Sequence, residues 1–120
     1  GEPRYAAAAR RAVDAFGATL TQAPDGFVTL LRADAALRAP PALVIVDGDP
    51  ATTPAWVDAA RTRDPHAIVI DVGGRGDVPA ALRKGPRLAS GACAYVCRDF
   101  TCLPRIDDRA ALAAAIAGAA

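Results

Sequence analysis

Three short, mostly apolar runs constrain this chain most: Ala42–Val46, Ala67–Val72, interrupted only by Asp71, and Ala92–Cys97. Runs of this kind belong to strands buried on both faces of a parallel sheet. The residues between them supply turns and helix signals. Asp47-Gly48-Asp49-Pro50 turns the chain, and Thr52-Thr53-Pro54 provides an N-cap and a first-turn proline for a helix carrying Trp56, Val57 and Ala60. Gly73-Gly74-Arg75-Gly76 breaks the second run, and Asp77 to Lys84 reads as a short helix stopped by Gly85-Pro86. Asp107 or Asp108 caps a last helix with an apolar face of Leu112, Ala113, Ile116 and Ala120.

Ahead of the strands the period is helical. Tyr5, Ala9, Ala12, Val13 and Phe16 form one stripe, with Gly17 as its stop; Phe27, Leu30, Leu31 and Ala35 form a second, ended by Ala39-Pro40-Pro41. The two read as an antiparallel helix pair joined by a short turn containing Pro24 and Gly26. The order is therefore α-α, then β-α-β-α-β-α. It predicts an α/β fold: a small three-stranded, mostly parallel sheet with flanking helices, preceded by the helix pair; strand order stays open, with the first strand favoured in the middle. The expected division is residues 1–39 for the helix pair and 40–120 for the α/β domain.

Composition narrows the class. Apolar residues at 52% and charged residues at 22% exclude a disordered chain, and no apolar run approaches a membrane span. The first residues, Gly-Glu-Pro-Arg, do not open a signal peptide, so a cytoplasmic location with reduced thiols is expected. A net charge of +1, with arginines and acids dispersed, provides no basic stripe for nucleic acid. The core is rich in Ala, with three Phe, one Trp and no Met. Small side chains bury little area each at ~25 cal/mol per Å². An isolated domain of this composition is marginal, and the extra helix pair is where a packing partner is expected.

The residues that carry chemistry are few. Cys93 and Cys97 sit four positions apart on one expected strand, about 13 Å when extended, beyond the ~7 Å Cα limit of a disulfide. Cys97 and Cys102 can meet if Arg98 to Thr101 form a tight turn. Closing so small a loop contributes only ~2 kcal/mol through loop entropy, which favours a switchable redox pair over a structural staple. Against a redox role stand the four intervening residues, unlike a two-residue redox motif, and small buried residues as the simpler role. The three cysteines with His66 make four nominal zinc ligands without the paired knuckle spacing such sites use. Asp47, Asp49 and Asp71 fall at the carboxyl ends of strands, where α/β sheets gather ligands, and form a candidate ligand pocket. Val46-Asp47-Gly48-Asp49-Pro50 is also similar to the acidic turn of response-regulator receivers, with Asp71 and Lys84 as the remaining members. The spacing fails there, because one strand and one helix are missing between Asp47 and Asp71. The Gly73–Gly76 loop lacks a third glycine of the dinucleotide fingerprint and any Gly-Lys-Ser/Thr ending, and no Ser-His-Asp set is present.

Ala94-Tyr95-Val96-Cys97-Arg98-Asp99-Phe100-Thr101-Cys102-Leu103-Pro104 resembles the extreme C-terminus of a family that joins a thioredoxin-like domain to a six-hairpin α-helical barrel, labelled thioredoxin-domain proteins or, in animals, spermatogenesis-associated proteins. Gly1-Glu2-Pro3-Arg4-Tyr5 and Pro24 to Leu37 resemble its last barrel helices, and Leu43-Val44-Ile45-Val46-Asp47-Gly48-Asp49-Pro50 its strand and Gly-Asp-Pro segment. Cys93 departs from the small residue found there. The family's thioredoxin-like domain has no counterpart in these residues, so no catalytic residue carries over. The resemblance implies a non-catalytic C-terminal α/β module of a larger protein, without cofactor or metal, that contacts the rest of its parent or a second copy through the N-terminal helices. The alternative is a thiol redox module using Cys97 and Cys102.

Overall fold

The computed structural model describes residues 3–86, 88, 90–99 and 101–118. Gly1, Glu2, Phe100 and Ala120, used above, lie outside them. The chain divides into two units, Gly1–Pro40 and Pro41–Ala120.

The first unit holds α1 (Pro3–Ala15), α2 (Gly17–Gln22), a 3-10 turn at Pro24–Phe27 and α3 (Val28–Arg38). Phe16, just after α1, meets Phe27, just before α3, with ring centroids 6.2 Å apart. At the other end the Arg10 guanidinium donates to the Leu37 carbonyl at 3.0 Å. The two helices thus run antiparallel. Gly17, expected to stop the first helix, instead starts α2. A Cβ at this position would meet nothing within 4 Å, so no steric need for glycine marks a stop, and the chain re-enters a helical turn after the break at Phe16. Val13 and Leu20 are buried, while Tyr5, Phe16, Val28 and Leu31 are exposed.

The second unit contains β1 (Leu43–Gly48), α4 (Thr53–Arg63), β2 (Ile68–Asp71), β3 (Ala92–Arg98), β4 (Thr101–Cys102) and α5 (Arg109–Gly118). The sheet has four strands in the order β2-β1-β3-β4. Only β1 and β2 are parallel; β3 runs antiparallel to β1, and β4 antiparallel to β3. The expected three-stranded, mostly parallel sheet is therefore corrected to a mixed four-stranded one, although the first strand does lie between the other two expected strands.

The reason lies in residues 77–84. Pro79 holds an extended ψ of 136°, and a proline excludes its predecessor from the helical region. Too few residues then remain before Gly85-Pro86 to repay helix nucleation. A 3-10 turn at Ala80–Leu82 forms instead of the expected helix. Without a crossover helix the chain stays at the end of the sheet where β2 finishes. It enters β3 at Ala92, opposite Gly48, the last residue of β1. Entry at that end makes β3 antiparallel.

Alternation sorts the strand side chains onto two faces. Val44, Val46, Ala94 and Val96 pack with Trp56, Val57 and Ala60 of α4 and Leu112 and Ile116 of α5. Asp108 caps α5, its carboxylate accepting the Ala111 amide at 2.8 Å, while Asp107 pairs with Arg105. The other face carries Ile45, Val72 and Cys97, packed with Leu43, Ile70, Val78, Leu82, Tyr95 and Cys102. Helices cover one face; Val78 and Leu82, between β2 and β3, pack against the other.

Candidate functional site

The chain reverses after β3 through a two-residue loop. Arg98 faces Thr101 and Cys97 faces Cys102, so only two positions separate the paired strands. Tight hairpin loops need positive φ, and Asp99 supplies it at 45°, a conformation aspartate tolerates better than most residues. Leu103 donates its amide to the Val96 carbonyl at 2.9 Å. That makes 96 a bonding position toward β4 and 97 a non-bonding one, where facing side chains come closest. The Cα atoms of Cys97 and Cys102 are 3.9 Å apart and their sulfurs are at disulfide distance, 2.03 Å.

Beyond Cys102 the chain continues along β3. Ala94 and Ile106 exchange two backbone hydrogen bonds of 2.9 Å each. The register slips by one residue between the Val96 and Ala94 partners, a bulge at Pro104, which has no N–H to offer a ladder. The return strand is thus anchored beyond Cys102, at Leu103 and Ile106, by bonds that do not involve sulfur.

Cys93 is the third cysteine, free and buried. It faces Asp47 on β1 and lies on the same sheet face as Tyr95 and Cys97, too far along the strand to reach the Cys97 sulfur. Burial pushes its thiol above the ordinary value, and the Asp47 carboxylate adds to this, against the opposing pull of Arg105 and a hydrogen bond with Tyr95. Burial also raises Tyr95, with Cys93 as the next cause. This thiol is protected, not activated.

The three aspartates do not converge. Asp71 shares a face with Val46 and α4; its carboxylate accepts the Thr53 hydroxyl at 3.0 Å and the Gly73 amide at 2.9 Å. Asp47 points to the opposite face and accepts the Gly48 amide at 2.8 Å. Asp49 sits in the turn, accepting the Ala51 amide at 2.9 Å. Each carboxylate is committed to local donors, so the receiver-like arrangement with Lys84, itself exposed, is not assembled. The glycine loop is equally engaged. A Cβ on Gly73 would lie 2.7 Å from Thr53 Cγ2 and 2.8 Å from the Gly48 carbonyl, and one on Gly74 would overlap Pro50. These glycines permit close packing of two turns and leave no phosphate cradle. His66 is exposed in the turn before β2. Among the described residues no group of three or more His, Cys, Asp or Glu is placed to hold a metal ion, and no helix is long and apolar enough to cross a membrane.

The sequence pointed to Cys97 and Cys102 but not to what stands behind them. Leu43 of β1 faces Cys97 from the side away from Cys102. That neighbour depends on β3 pairing antiparallel with β1, which local spacing does not encode. No protein-family model, curated protein or solved structure matches this chain.

Proposed function

We propose that this chain is a thiol redox module, in which Cys97 and Cys102 open and reclose a disulfide across the β3–β4 hairpin. The observation that carries the reading is the facing of the two cysteines at a non-bonding hairpin position held by independent backbone bonds. A reversible pair needs its thiols to remain neighbours once the bond is broken. Here the Leu103–Val96 bond and the Ala94–Ile106 pair keep the return strand in place. In a cytoplasmic setting the pair would rest as thiols and close under oxidation. The test equilibrates the full chain in graded glutathione redox buffers, starting from both the oxidised and the reduced protein, and counts thiols after acid quenching. Matching fractions from the two directions support the pair; a thiol count that never changes removes it.

A second reading is favoured by the exposed Tyr5, Phe16, Val28 and Leu31 of the helical unit. On it, the chain is a non-catalytic C-terminal module of a larger thioredoxin-domain protein, and these side chains meet the rest of that parent or a second copy. Light scattering of the full chain tests the second-copy form. A strict monomer that also binds no apolar dye counts against the whole reading.

A further inference from the structure

We infer that exchange at this pair is one-sided: an incoming thiolate takes the Cys102 sulfur, and Cys97 is the leaving group. The inference rests on the redox reading above and adds its direction and substrate class, an external thiol. Displacement at a disulfide sulfur brings the nucleophile in along the line of the breaking bond, from behind the sulfur it attacks. The register sets what lies behind each sulfur. Ile68, Leu43, Cys97 and Cys102 form one row across the sheet, each facing the next. The Cys97–Cys102 bond runs from β3 to β4 along this row. Behind Cys97 stands Leu43, packed with Ile45 and Cys97 in the second core, and Cys97 is only 5% exposed. Behind Cys102 is the outer edge of β4, where the sheet ends, and Cys102 is only partly buried.

The step balances without a further oxidant. The thiolate forms a bond to the Cys102 sulfur as the Cys97–Cys102 bond breaks, and the electron pair leaves on Cys97, which takes a proton from solvent. Cys97 then either returns to Cys102 and expels the external thiol, or a second external thiol attacks the mixed disulfide at its own sulfur. The second course leaves two protein thiols and one external disulfide, a two-electron reduction of the pair.

Trypsin makes the outcome readable, because Arg98 separates residues 88–98, with Cys93 and Cys97, from residues 99–105, with Cys102. The oxidised full chain is exposed briefly to reduced glutathione, or in a parallel arm to a short cysteine peptide, then acid-quenched, alkylated and digested. The expected adduct is on 99–105, with Cys97 alkylated; relative speed in the two arms tells a small thiol from a peptide partner. Cys97→Ser and Cys102→Ser, each treated with glutathione disulfide, give the second readout: the remaining Cys102 thiol should react at least about tenfold faster than the remaining Cys97 thiol. An adduct on Cys97, or equal rates in the two variants, overturns the inference. If the oxidised chain never contains the bond, the redox reading itself falls.

Discussion

Reducing the Cys97–Cys102 bond should weaken the α/β unit measurably without unfolding it. The bond closes a loop of six residues, from 97 to 102, and loop-closure entropy for that length is ~2 kcal/mol at 25 °C. The native side loses little else, since the Leu103–Val96 and Ala94–Ile106 backbone bonds remain. A folded domain holds about 5–15 kcal/mol in all, so the reduced form stays folded. For a unit spanning Pro41–Ala120 the loss corresponds to a melting shift of roughly 10 °C, or a urea midpoint lower by roughly 1–2 M. Trp56 is the only tryptophan and is 8% exposed in the helix-covered core, so its fluorescence follows this unit alone. The assay is urea denaturation of the full chain with and without a phosphine reductant. Loss of the buried Trp56 signal on reduction, before any urea, would show a staple and refute the switchable pair. A midpoint that does not move would show that the bond does not cross-link the native hairpin.

Gly48→Ala should destabilise by about 3 kcal/mol or more, because its φ of 143° is a conformation that L side chains rarely adopt and the new Cβ would lie 2.6 Å from Ala92 Cα; thermal melts read this directly. Leu112→Ala, at a fully buried position of α5, should lose about 2–5 kcal/mol in the Trp56 urea assay. Asp108→Ala removes the α5 cap and should lose about 1 kcal/mol, whereas Asp107→Ala, at an exposed position, should lose far less. The Cys93 thiol is raised by burial from an ordinary value near 9.0. Its contribution is therefore complete below that pH and declines above it, as the unfolded chain loses the proton first. Stability measured across that range should fall less steeply in Cys93→Ala than in the parent chain.

Much of the fold was legible because its signals are local. The apolar runs located β1, β2 and β3, Pro54 opened α4, and the Asp107-Asp108 pair marked the start of α5. Strand direction was not legible from alternation alone. It turned on Pro79, whose bar to helix left β2 and β3 without a crossover. The fourth strand was hidden because it is only two residues long, Thr101–Cys102, with Pro104 close behind it, and its turn relies on Asp99 at positive φ, without the Asn-Gly or Asp-Gly pair that announces such loops. The candidate aspartates cluster in sequence at strand ends. Side-chain alternation nonetheless sends Asp47 and Asp71 to opposite faces. The pairing of Cys97 with Cys102 required only a tight turn; its setting beside Leu43 required the whole register.

The most direct test is a disulfide map of the oxidised, unreduced full chain. After digestion, the account predicts residues 88–98 and 99–105 joined through Cys97 and Cys102, with Cys93 the one alkylatable thiol under denaturing conditions. Three free thiols under oxidising conditions, or a bond that includes Cys93, would contradict it.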